Sequence, residues 1–157
     1  MAAEIGSLAP DFILPNQDRQ PVTLSAQLRD GPVILAFVPG AFSDTCTKEI
    51  CTFRDTLGSL AGVSPRLLVV SVDSFFALRA WADLEHFEFP LLSDFNKVVI
   101  HQYGVFNEDM IGLKGLAKRA VFVIDRAGTV RYREVLDDAR NEPDYARTRD
   151  VFASLVA

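Results

Sequence analysis

Six consecutive apolar residues, Val33-Ile34-Leu35-Ala36-Phe37-Val38, stand between the turn formers Gly31-Pro32 and Pro39-Gly40. A run of this length without alternation fits a strand buried on both faces of a sheet, so the rest of the chain has to cover both sides of it. Arg66-Leu67-Leu68-Val69-Val70-Ser71-Val72 is a second run of the same kind. Between the two, Ile50, Phe53, Leu57 and Leu60 recur at helical spacing, and Gly62 to Pro65 make a loop. After the second run, Ser74 is placed to cap a helix reaching about residue 86, with Phe76, Ala80, Leu84 and Phe87 as its apolar stripe. Strand, helix, strand, helix in that order predicts a parallel βαβ unit.

Four residues before Ile50, on the same stripe, is Cys46. It falls at the N-terminal end of the first helix and faces inward. Unpaired backbone N–H groups and the positive end of the helix dipole both favour a thiolate there, the nucleophilic form. Open α/β sheets place their sites at the carboxyl ends of the strands, where this strand hands over to this helix. The segment from Pro39 to Cys51, which holds both cysteines of the chain, is therefore the candidate active site.

Upstream, Ala9 to Pro15 and Val22 to Leu24 predict a hairpin around a turn at Asn16 to Gln20, followed by a helical turn at Ser25 to Leu28 capped by Ser25. Downstream, Phe89 to Leu92 predict a short strand, and Asn96 to Tyr103 a short helix closed by Gly104. Residues 105–118 read as a loop that borders a pocket. Arg119 to Ile124 and Thr129 to Arg133 form the clearest hairpin, and Pro143 begins a last helix with Tyr145, Thr148, Phe152 and Leu155 inward.

A chain of 157 residues, 49% apolar and 24% charged, suits one domain spanning residues 1–157 with a substantial core. The net charge of −5 and the lack of a basic stripe argue against nucleic acid or a membrane surface as partner. No secretory leader pattern and no run of transmembrane length is present, which predicts a cytoplasmic protein. Two cysteines are too few for a disulfide scaffold, and a short-spaced pair in that compartment points to redox or metal chemistry. His86 and His101 fall on separate predicted helices, so no metal-ligand spacing exists and no cofactor is implied.

The pattern Pro39-x-x-x-Ser43-x-x-Cys46, continued by Thr47-Lys48-Glu49-Ile50-Cys51-Thr52-Phe53-Arg54-Asp55, resembles the peroxiredoxin signature. The second cysteine, five residues on, resembles the bacterioferritin-comigratory or peroxiredoxin Q group. Ala9-Pro10-Asp11-Phe12 is similar to the start of many peroxiredoxins. The resemblance implies an α/β, thioredoxin-like fold with a central mixed sheet flanked by helices and an N-terminal β-hairpin extension. It implies a thiol peroxidase reducing hydrogen peroxide and small organic hydroperoxides, with Cys46 as the peroxidatic cysteine that becomes a sulfenic acid. Cys51 is then the resolving cysteine of an intramolecular disulfide, opened by a thioredoxin-like or glutaredoxin-like reductant. The alternative is a bystander Cys51 beside the stripe and a one-cysteine enzyme. Relatives include monomers and homodimers.

Activating a thiol contributes far less than the millionfold or so by which enzymes accelerate reactions, so donors must also stabilise charge developing on the peroxide oxygens. The Ser43 hydroxyl, the first-turn N–H groups and a guanidinium are the candidates. Arg119 matches, by resemblance, the family's distant active-site arginine, and by position alone it is a surface charge beside a strand. Ser43 stands where many members have Thr, and it also fits an N-cap. By resemblance Pro39 shields the thiolate, while its plain role is to end a strand. Glu49 matches an acid often found three residues after the family's cysteine, and is equally a carboxylate favoured by the dipole. Asp44 departs from expectation, because a carboxylate two residues before Cys46 opposes the thiolate if it points that way. A disulfide oxidoreductase normally has Cys-x-x-Cys, and here four residues intervene. A redox sensor that switches a surface without turnover stays open.

Overall fold

The computed structural model describes residues 3–58 and 66–156. It begins with a hairpin, β1 (Ile13–Pro15) antiparallel to β2 (Pro21–Thr23), followed by α1 (Leu24–Leu28). Then come β3 (Val33–Phe37), α2 (Asp44–Gly58), β4 (Leu67–Ser71), α3 (Phe75–Glu85), β5 (Leu91–Ser93) and α4 (Val99–Gln102). A small pair, β6 (Phe106–Asn107) and β7 (Leu116–Ala117), precedes β8 (Arg119–Ile124), β9 (Val130–Leu136) and α5 (Tyr145–Val156). The main sheet runs β5-β4-β3-β8-β9, with β3 parallel to β4 and antiparallel to β8. This is the mixed, helix-flanked, thioredoxin-like sheet with its hairpin extension.

Every residue of β3 is buried, because alternation sends its side chains into two cores. Leu35 and Phe37 pack with Tyr103 and Phe122 on one face. Ile34 and Ala36 pack on the other beneath α2, α3 and α5, where Cys46, Ile50, Phe53 and Leu57 form the expected inward stripe. Leu60 and the loop from Gly62 to Pro65 lie outside the described residues.

Helix α3 turns a different face inward from the predicted one. Leu78, Trp81 and Ala82 are buried, whereas Phe76 is 70% and Leu84 64% exposed and Ala80 is exposed as well; of the expected stripe Phe87, just past the helix, is buried. Apolar residues surround this helix almost completely, so periodicity allows two stripes, and tertiary packing chooses between them. Trp81 decides the choice: its ring meets Phe87 edge-on at 5.2 Å, and its indole N–H donates to Thr47 Oγ1 at 3.2 Å. The largest side chain is thus buried with its polar atom satisfied. Ser74 does cap α3, accepting from Ala77 N–H at 3.3 Å.

Other boundaries move for local reasons. Helix α1 starts before Ser25, whose backbone N–H is taken by Asp11 Oδ1 at 2.9 Å, so Ser25 is not a cap. The Asp94 carboxylate collects the N–H groups of Val98 and Ile100 at 3.0 and 2.8 Å, which makes residues 94–98 the lead-in to a shorter α4. Asp144 caps α5 by accepting from Arg147 N–H at 2.9 Å, so Pro143 precedes the helix rather than opening it. Residues 105–118 contain the β6–β7 pair where a plain loop was expected, and they do border a cleft.

Candidate active site

Sheet register explains how distant residues meet. Phe37 pairs with Ala120, so Arg119 lies at the end of the sheet where β3 runs into the turn leading to α2. Arg119 also shares strand parity with Val121 and Val123, which face the α2 side. Ser43 closes the turn as the N-cap of α2: its Oγ accepts from Cys46 N–H at 3.3 Å, and its carbonyl accepts from Thr47 N–H at 2.9 Å. Cys46 is therefore held in the first turn, fully buried, while Ser43 and Arg119 line an adjoining cleft of about 920 Å³.

Arg119 is only 2% exposed. Its Nη1 donates to Cys46 Sγ at 3.4 Å and to Glu49 Oε1 at 2.6 Å. Its Nε and Nη2 both donate to the Ala139 carbonyl, at 3.1 and 2.9 Å. Burial pulls the guanidinium pKa down, but the charges of Cys46 and Glu49 outweigh it and hold the group above its ordinary value. Glu49 is fully buried, and burial pushes its carboxyl up to about 7 even though Arg119 pulls it down. Among the described residues its Oε2 has no hydrogen-bond partner, so no donor at that oxygen offsets the cost of burying the charged form. Position alone reads Glu49 as a carboxylate favoured by the helix dipole, and the structure adds burial and a pairing with Arg119.

The turn before α2 is anchored by a residue that sequence reading missed. Asp73 Oδ2 accepts from Ala41 N–H at 2.7 Å and from the Ser71 hydroxyl at 2.8 Å. The Asp73 carbonyl accepts from the Ser93 hydroxyl at 2.6 Å. This anchorage holds Phe42 at φ 68°, a left-handed conformation that is costly for a bulky residue. The available signal was positional: Asp73 follows the carboxyl end of β4, the parallel neighbour of β3. The Ala139 carbonyl leaves no signal at all, since any residue supplies a backbone acceptor.

Pro39 is buried and lines the cleft. Asp44 also lines it with an exposed side chain, while the donor reaching Sγ comes from Arg119. Cys51 lies on the same intact helix as Cys46, half-buried, and both thiols are free. Burial pushes the Cys51 pKa up, partly offset by the charge of Arg54. Lys48, between the cysteines, pairs with Glu142 at 2.9 Å, and Glu142 also accepts from Tyr145 Oη at 2.7 Å. His86 caps the end of α3 and His101 stacks on Phe106 at 4.0 Å; both are exposed, and neither lines the cleft. Among the described residues, no helix is long and apolar enough to cross a membrane.

The AhpC/TSA family profile matches residues 5–133. Alkyl hydroperoxide reductase E of Mycobacterium tuberculosis is 39% identical over 133 residues, covering 83% of this chain and 84% of its own. A chloroplastic 2-cysteine peroxiredoxin of Chattonella marina var. antiqua is 34% identical over 160 residues, covering 94% of this chain and 80% of its own. The crystal structure of peroxidoxin BcpB from Mycobacterium tuberculosis superposes with a TM-score of 0.84 at 33% identity, covering 97% of each chain. With the family profile spanning most of its length and these relatives beside it, the chain belongs to the AhpC/TSA family, the peroxiredoxins.

Proposed function

We propose that Cys46 is the peroxidatic cysteine of this thiol peroxidase, that Arg119, Ser43 and Pro39 serve it, and that Cys51 resolves the oxidised form. One observation carries the reading: a buried guanidinium bonded to a buried sulfur in the first turn of a helix, beside an open cleft. The Cys46 thiolate attacks one peroxide oxygen, an S–O bond forms as the O–O bond breaks, and the leaving oxygen takes a proton. Arg119 Nη1, already directed at Sγ, and the Ser43 hydroxyl supply donors where negative charge grows. Glu49 and the Ala139 carbonyl act through Arg119 as positioning groups. Residues 1–157 work as one domain, and recycling by a thioredoxin-like or glutaredoxin-like dithiol suits a reducing, cytoplasmic setting. Peroxide consumption coupled to a thioredoxin system tests the reading in one cuvette. Turnover supports it, insulin reduction instead favours a disulfide oxidoreductase, and neither favours a sensor.

Two-cysteine recycling makes a structural demand. Residues i and i+5 of an α-helix have Cα atoms about 8.7 Å apart, and a disulfide tolerates at most about 7 Å. Both cysteines lie within intact α2, so that turn must unwind before they bond. Unwinding breaks the Thr47–Trp81 and Lys48–Glu142 contacts, and Trp81 is the single tryptophan of the chain. Oxidation is expected to raise amide exchange across residues 43–55, to change Trp81 fluorescence, and to give a Cys46–Cys51 link by mass spectrometry. Equal exchange in both states together with a persistent sulfenic acid means a one-cysteine enzyme.

A further inference from the structure

We propose that Arg54 prepares Cys51 for attack on oxidised Cys46, supplying a cation beside its thiol and tying that end of α2 to α3. This rests on the reading of Cys51 as the resolving cysteine and adds the group that activates it. The thiolate, not the thiol, attacks a sulfenic acid, and burial opposes ionisation at Cys51. The resolving step therefore needs a counter-charge.

Arg54 follows Cys51 by three residues on α2, so the two side chains share a face of the helix. Its Nη1 donates to the Glu85 carbonyl at 3.0 Å, and its guanidinium carbon lies 5.8 Å from the centre of the Phe87 ring. Glu85 ends α3 and Phe87 is buried just past it, so Arg54 fastens the Cys51 segment to the negative end of a neighbouring helix. Phe53 adds to the hold, buried and edge-on to Tyr145 at 5.0 Å. The Cys46 side is held differently. Arg119 bonds both Cys46 and Glu49 there, and oxidation removes the negative charge on the sulfur that this donor serves. Oxidation thus loosens the first turns and leaves Cys51 where Arg54 keeps it.

The charges around Cys51 connect this anchorage to chemistry. Arg54 favours the thiolate through its charge and a hydrogen bond, whereas Glu85 from α3 and Asp55 from α2 oppose it. Asp55 also accepts from Arg54 Nε at 3.3 Å. Removing the guanidinium leaves burial and both carboxylates acting against ionisation. In the step itself the Cys51 thiolate bonds to the Cys46 sulfur as the S–O bond breaks. Cys51 is oxidised, the sulfenic sulfur is reduced, and the departing hydroxide combines with the proton that Cys51 gave up to leave as water. When this step is slow, a second peroxide oxidises the waiting sulfenic acid to the sulfinic acid, which a dithiol does not reverse.

The test follows both steps by mass spectrometry of acid-quenched samples after stoichiometric peroxide, in wild type, Arg54→Gln and Arg54→Lys. Arg54 does not line the cleft, so the sulfenic acid should form at the wild-type rate. Disulfide formation at pH 7 is expected to slow roughly threefold or more in Arg54→Gln, because a tenfold loss of thiolate is partly offset by the greater nucleophilicity of a more basic one. The deficit should close as pH rises toward full ionisation, and Arg54→Lys, which keeps the charge, should recover most of the rate. Iodoacetamide labelling of Cys51 in a Cys46→Ser background should titrate at higher pH once Arg54→Gln is added. An unchanged titration, equal disulfide rates at pH 7, or a deficit that is the same at every pH overturns the proposal and leaves Arg54 as a cap of α3. A wild type that forms the sulfenic acid but no Cys46–Cys51 link overturns the resolving role of Cys51, and this proposal with it.

Discussion

Cys46→Ser is expected to abolish peroxide reduction, with coupled peroxide consumption falling to the rate seen without protein. The hydroxyl that replaces the thiol is not ionised near neutral pH, so the nucleophile disappears even though Arg119 and the helix terminus stay in place. Cys51 cannot substitute for it. That thiol is half-buried, burial pushes its pKa up, and it lies five residues along α2 from Cys46, the sulfur to which Arg119 donates. Ser is close in size to Cys, so the variant should keep its circular dichroism spectrum. Substantial turnover in Cys46→Ser would assign the chemistry to another residue and sink the proposed role.

Arg119→Met is expected to lower the peroxide rate constant by roughly a hundredfold to a thousandfold, the cost of removing one transition-state donor. It should also destabilise the fold, because it leaves Glu49 buried without its partner. Breaking a buried pair from one side typically costs about 3–5 kcal/mol. The sign of the pH dependence follows from Glu49, whose folded pKa of about 7 is raised above its ordinary 4.5. Between those values the native state holds more protons than the unfolded chain, so stability falls as pH rises through the window. Removing Arg119 takes away the influence that lowers the Glu49 pKa, and the decline then continues to higher pH. Denaturant unfolding should show the variant's deficit against wild type growing from pH 5 to pH 8, on top of a pH-independent loss from the Ala139 carbonyl that Arg119 no longer reaches. Adding Glu49→Gln should restore stability at pH 8 without restoring the rate. A near-normal rate for Arg119→Met, measured by stopped flow, would return that residue to a structural role.

These two residues mark the boundary between local and tertiary information. Cys46 was legible because its environment is built from its own neighbours: the apolar run of β3, the turn at Pro39, the cap at Ser43 and the stripe through Ile50, Phe53 and Leu57. Periodicity and capping are short-range effects, and the sequence by itself determined these elements, the parallel βαβ unit and the inward thiol of the first turn. The family resemblance singled out Arg119, and parity places it on one side of β8 with Val121 and Val123. Only packing decides that this side is the one beneath α2. Its partners are further out of reach. Glu49 was readable as a first-turns acid, but its burial depends on β8 lying beside it. The Ala139 carbonyl depends on where the chain runs after β9, and the anchorage of Ala41 on Asp73 depends on the β3–β4 register. The α3 stripe went the other way for the same reason. A helix apolar almost all round presents two acceptable faces, and the choice fell to Trp81 finding both Phe87 and the Thr47 hydroxyl across the core. Side-chain identity sets which local conformations are cheap. Which buried charge meets which partner, and which apolar face turns inward, is set by segments tens of residues away, whose contribution exists only once the sheet has closed around them.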